Sequence, residues 1–177
     1  MRYFLYFMAY SFIGFLLETG YSLVTTGGFV EKKCYVFSLL CPVYGLGALA
    51  ILICTNSMIK HPFFVFMVGA LTATIVEFLV GVFYFHVFGL RIWNYSNMPY
   101  NVNGHICLLF TFFWGFLSLL LVYVVHPKIK QYTSLIPTKM CIVALILFIF
   151  DAALSSLLLL KYHQKHALSL AWLWNHS

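Results

Sequence analysis

The chain has 177 residues, of which 63% are hydrophobic, 20% aromatic and only 8% charged, with a formal charge of +6. Soluble domains carry about a quarter charged residues, so this composition excludes a water-soluble surface and makes lipid the solvent. Ten Lys and Arg against four acids, scattered through short connections, give membrane-flanking charge and not the clusters that nucleic-acid binding needs, so no nucleic-acid partner is expected.

In chain order, hydropathy predicts apolar spans near 3–26, 35–58, 62–88, 105–125 and 138–160. Each reaches the ~20 residues that a helix needs to cross a ~30 Å hydrocarbon core. The reading is all-α: a polytopic transmembrane bundle of about five spans forming a single domain over 1–160, with a short polar and aromatic tail over 161–177. The first span is too long for a signal-peptide core and carries Glu18, so it is read as uncleaved. The last holds Asp151 among thirteen Leu, Ile, Val or Phe within 141–160. Their roughly −4 to −8 kcal/mol of insertion free energy outweighs about +3 for a central Asp. Lys and Arg divide five and five between the two sides, so the positive-inside rule assigns no orientation.

Three of the four acids, Glu18, Glu77 and Asp151, fall inside apolar spans. Intramembrane acids are costly and mark functional sites by default. They occupy the first, third and fifth spans, roughly 12–17 Å from the same membrane side at 1.5 Å per residue. A shared substrate or ion site near the midplane is therefore expected, against the alternative that each acid only holds helices together. Ser11, Gly14, Glu18 and Tyr21 share one helical stripe, as do Gly69, Ala73, Glu77 and Gly81, a small-residue ridge for close helix approach.

Two connections on one side are unusual. In Cys41-Pro42-Val43-Tyr44-Gly45-Leu46-Gly47, the proline suits a first helical turn, so a helix starting at Pro42 after an irregular 35–41 stretch competes with one kinked helix over 35–58. From Gly89 to Cys107, Arg91, Trp93, Asn94, Tyr95, Asn101, Gly104, His105 and Cys107 form a segment more polar than an interfacial aromatic belt requires. Arg91, Lys32 and Lys33 are the cationic partners available there. The five cysteines form no C-x-x-C pair and read as small buried hydrophobes. No catalytic residue, metal site or cofactor is assigned.

Tyr10-Ser11-x-x-Gly14-x-x-x-Glu18, Cys41-Pro42-x-Tyr44-Gly45, Glu77 with Gly81, Trp93-x-Tyr95-Ser96, and Asn101 with Gly104-x-Ile106-Cys107 together resemble the bacterial CmpB-like ABC-transporter type IV family over roughly residues 4–125. Where that family has Asp, Arg and an Asn-Arg-Gly loop, this chain has Asn94, His105 and Glu31-Lys32-Lys33. The resemblance implies a permease component in the cell membrane. The chain contains no G-x-x-x-x-G-K-[ST] phosphate loop, so ATP hydrolysis would come from a separate ATPase subunit. Five spans are few for a complete pathway, which suggests a homo-oligomer. The rival readings are a membrane enzyme acting on lipids, with carboxyls and His105 as acid–base groups, and a non-catalytic partner of another membrane protein.

Overall fold

The computed structural model describes residues 1–26 and 34–168; Lys32 and Lys33 lie outside them. The described chain is all-α apart from one two-stranded ribbon. Helix α1 spans Arg2–Thr26, α2 Pro42–Thr55 and α3 Pro62–Phe88. Strands β1 (Asn101–Val102) and β2 (Ile106–Cys107) pair antiparallel, and then come α4 (Leu108–Leu120), α5 (His126–Thr133) and α6 (Thr138–Tyr162). Among the described residues four helical stretches are long and apolar enough to cross a membrane, namely α1, α3, the rod from Leu108 to Thr133, and α6, whereas the second apolar segment forms a shorter helix.

Three boundaries differ from the hydropathy reading by more than two residues. The second apolar segment is not helical from 35, because its helix starts at Pro42 and the residues before it are bends and irregular chain. Proline at the first position loses no hydrogen bond, since the N–H it lacks has no helical acceptor. The fourth helix begins at Leu108 instead of 105, because Gly104 adopts positive φ (73°) and turns the chain into the β-ribbon. At its other end the rod continues eight residues past 125, through a π-helical turn at Leu121–Val125 and into polar α5. The wide turn immediately precedes Pro127, whose ring cannot continue a regular ladder. Hydropathy ends where the side chains turn polar, whereas backbone hydrogen bonding does not.

The chain forms two compact units, residues 1–45 with 136–177 and residues 46–135. In the second, α3 has two opposed faces. Phe63, Met67, Leu71, Ile75, Leu79 and Phe83 recur every four residues and are all exposed, whereas Val65, Gly69, Ala73, Glu77 and Gly81 recur at the same period and are all buried. Such a split is expected of a helix with lipid on one side and protein on the other. Gly69 lies directly against Ser118 of α4, and Thr74 hydrogen-bonds Thr111 at 3.0 Å. Ile51, Val65, Ala73 and Val122 close the apolar core beside them.

In the first unit Phe148 of α6 makes ring contacts with Phe4 and Phe7 of α1 and with Tyr35. The buried face of α1 combines Tyr6 and Tyr10 with Ser11, Gly14 and Ser22, and that of α6 combines Cys141, Asp151 and Ser155 with Leu159. The α1 stripe continues to Ser22, which is buried, and not to Tyr21, which is 51% exposed.

A methyl group at Gly69 would overlap Ser118. Gly69→Val is therefore expected to lower thermal stability in detergent by ~1–3 kcal/mol. Gly47→Ala, whose added carbon meets nothing within 4 Å, is expected to leave it unchanged or slightly higher.

Candidate functional site

Each intramembrane acid lies on a packed or partly packed helix face and accepts hydrogen bonds from outside its own helix. Glu77 is 4% exposed. Its Oε1 accepts from the Tyr95 hydroxyl at 2.9 Å, and its Oε2 from the Trp114 indole N–H at 2.9 Å. Tyr95 reaches down from the loop and stacks on Phe110 of α4, with centroids 4.7 Å apart. Trp114 comes from the middle of α4. Two neutral donors, one per oxygen, thus hold a carboxyl in the centre of α3.

Glu18 is half-buried on α1 and accepts from the Tyr44 hydroxyl at 2.7 Å. The local sequence builds this contact. Tyr44 stands in the first turn of α2 and lies across Gly14, where any side chain would run into the base of its ring. Gly45 in turn packs against Ser11 and Phe7, and the Cys41 N–H donates to the Ser11 carbonyl at 3.0 Å. The Cys-Pro-x-Tyr-Gly motif is therefore a docking device: glycines on both segments bring them close enough for Tyr44 to reach Glu18.

Asp151 does something different. Its two oxygens accept from the backbone N–H groups of Phe37 (3.1 Å) and Ser38 (2.7 Å). The Ser155 hydroxyl donates to Asp151 at 3.3 Å and accepts from the Val36 N–H at 3.1 Å. Three consecutive backbone donors of the irregular stretch before α2 are satisfied by one turn of α6. Unpaired backbone in an apolar environment costs several kcal/mol per group, so this cap is what lets the stretch remain non-helical.

The loop after α3 is cross-braced. Gly89 in the left-handed conformation ends the helix and donates to the Phe85 and Tyr84 carbonyls. Asn94 accepts from both the backbone N–H and the hydroxyl of Ser96 (3.0 and 2.6 Å). Asn101 donates to the Ser96 and Met98 carbonyls and accepts from the Gly104 N–H. Gly104 is required twice over, by its φ and because a side chain there would meet Ser96, Asn94 and Arg91. The Trp93 indole donates to the His105 carbonyl at 2.7 Å, and both residues settle over Gly81. Trp93 and Tyr95 are therefore half-buried against the helices, while Tyr100 is 81% exposed. His105 is buried beside Phe78 and Phe85. Burial pulls its imidazole below the usual histidine range, and Arg91 and His86 push the same way. It is therefore neutral at neutral pH, with one nitrogen to donate and one to accept.

Two partners escaped the sequence reading. Trp114 was not linked to Glu77, although a Trp in an apolar span needs an acceptor for its N–H and a buried acid needs donors. Cys34 and Cys41 lie with their sulfurs 3.2 Å apart, a proximity that their seven-residue spacing alone does not indicate. Cys107 and Cys141 are buried singly, as small hydrophobes. Among the described residues no group of three metal-ligating side chains forms.

Asp151→Ala strands the N–H groups of Phe37 and Ser38 at about 1–3 kcal/mol each. Maleimide labelling of buried Cys41 in membranes, read by peptide mass mapping, is expected to speed up, with Asp151→Asn intermediate. Diamide, which takes two hydrogens from a thiol pair, is expected to link Cys34 to Cys41 and to leave Cys107 and Cys141 reduced. Reduced Cys34 and Cys41 after full oxidant treatment would contradict the observed proximity.

No curated protein and no solved structure matches the chain. A family model described as "Putative ABC-transporter type IV" matches residues 5–156, which takes in every helix described above in whole or in large part, including the Asp151 turn of α6. With its long apolar helices, the chain is an integral membrane protein that belongs to the CmpB-type family of ABC-transporter type IV proteins.

Proposed function

We propose that this chain is the permease-type subunit of a transporter, crossing the cell membrane several times and carrying a proton- or cation-linked site on its intramembrane carboxylates. Glu77 is the leading residue of that site. A carboxyl in the centre of a packed apolar helix, held by two neutral donors, is the single observation that carries the reading. A purely structural acid does better with backbone donors, as Asp151 does, so Asp151 is assigned to bracing. Glu18, bonded by Tyr44 and half-buried, is the second candidate. The Cys41–Gly45 and Arg91–Cys107 segments support the two acids through Tyr44 and Tyr95. Membership of the family favours transport over the lipid-enzyme reading, and the lack of a phosphate-loop motif assigns ATP hydrolysis to a separate subunit. Self-association supplies further helices for a pathway.

Tagged protein extracted in mild detergent is expected to bring down an ATP-hydrolysing subunit in stoichiometric amount; recovery of the chain alone would overturn the separate motor. In proteoliposomes of the recovered complex, Glu77→Gln is expected to abolish proton- or cation-coupled flux with insertion and subunit recovery intact. Wild-type flux in that variant removes Glu77 from the site. Tyr95→Phe and Trp114→Phe, each deleting one donor to Glu77, are expected to reduce flux without abolishing it.

A further inference from the structure

Beside the braced loop, on the face of α3 next to the Glu77 stripe, lies a cavity of about 730 Å³ lined by Phe78, Val82, Phe85, His86, Arg91, Ser96, Asn101, Asn103, Gly104 and His105. Its walls are of two kinds. Phe78, Val82 and Phe85 follow i, i+4, i+7 spacing and so present one apolar stripe of α3. The polar groups come from the loop and from His86.

Most of those polar groups have unused hydrogen-bonding capacity. Among the described residues, the side chains of His86, Asn103 and His105 make no hydrogen bond. Arg91 directs one N–H to the Asn103 carbonyl at 3.3 Å and lies over the Phe85 ring at 5.1 Å, which leaves the rest of its five-donor fork available. Ser96 and Asn101, by contrast, are committed to the loop's own turns. Glu77 is the one acid between residues 46 and 135, and its oxygens already accept from Tyr95 and Trp114. The guanidinium therefore has no carboxylate counter-ion within its unit.

A donor-rich, positively charged cavity with one greasy wall calls for an acceptor-rich anion. The donors outnumber what the two oxygens of a carboxylate would use, whereas a tetrahedral oxyanion has more acceptors to offer, and an arginine fork fits its edge in bidentate fashion. We infer that this cavity is a binding site for a phosphate-type anion, with Arg91 as its charged anchor and His105, Asn103 and His86 as hydrogen-bonding partners. The apolar stripe gives the non-phosphate part of the ligand a surface to lie on. The inference does not require Glu77 to carry ions, and its test reads binding and not flux.

Two probes separate the possible sources of the phosphate: dioctanoyl phosphatidic acid and inorganic phosphate, each titrated against full-length protein in a neutral detergent, with dioctanoylglycerol as the head-group-free control. Saturable binding of a phosphate-bearing probe but not of dioctanoylglycerol is expected. Arg91→Gln is expected to weaken that binding about tenfold or more, the effect of losing a charge-assisted contact. Asn103→Ala, which keeps the charge, is expected to weaken it less. Preference for the lipid over inorganic phosphate by tenfold or more assigns a membrane lipid head group, and comparable binding assigns a water-soluble phosphate; both support the site. Binding of neither probe overturns it, as does equal binding by wild type and an Arg91→Gln protein of unchanged melting temperature. Because flux through Glu77 is measured separately, failure here leaves the permease reading standing, and the converse holds as well.

Discussion

The hydrogen bond from an irregular segment to a carboxyl inside an apolar helix is the interaction on which this structure depends. Lipid offers no partner for an orphaned N–H or for a buried acid, and either alone costs several kcal/mol. At Asp151 each cost removes the other. The non-helical stretch before α2 places its backbone donors on Asp151 and Ser155. The start of α2 hands its tyrosine hydroxyl to Glu18, and the loop after α3 does the same for Glu77. At Asp151 the acid and the irregular chain satisfy each other, whereas at Glu18 and Glu77 side-chain hydroxyls and an indole satisfy the acid.

Small residues set the distances at which those bonds form. Gly14 and Gly45 let α1 and the first turn of α2 meet backbone to ring, without which Tyr44 would stand off from Glu18. Gly69 brings α4 against α3 at Ser118, one turn from the level at which Trp114 reaches Glu77. Gly81 does the same for Trp93 and His105. Apolar burial drives none of this, because lipid tails are as apolar as leucine. Close packing and satisfied polar groups supply the association, which explains why small residues line the buried ridge of α3 and polar ones are buried on α1 and α6 while many large apolar side chains point outward.

Helix α3 carries two chemistries on adjacent stripes. Glu77 lies with Gly69, Ala73 and Gly81 on the packed ridge, bonded to neutral donors. Phe78, Val82 and Phe85, one step around, face the cavity that Arg91 and His105 overlook. A single helix that presents both stripes fixes their separation without further structure.

Composition alone established that the chain lives in lipid and is helical, because 8% charge cannot solvate a surface and apolar runs of this length admit only helices. The α3 limits, the start at Pro42 as one of two options, the packing ridge around Glu77 and the family were legible for the same reason: hydropathy, proline and glycine act locally. The extension of the fourth helix to Thr133 was not, since hydropathy reports the solvent around side chains and is silent on backbone hydrogen bonds. Only the tertiary structure decided who satisfies whom. Tyr95 and Trp114 on Glu77, Asp151 on residues 37 and 38, and Cys34 against Cys41 join positions that sequence spacing does not relate. A buried acid announces in sequence that it needs donors, but any tyrosine, tryptophan or free backbone N–H can meet that need, and the choice is made by which segments pack within 3 Å.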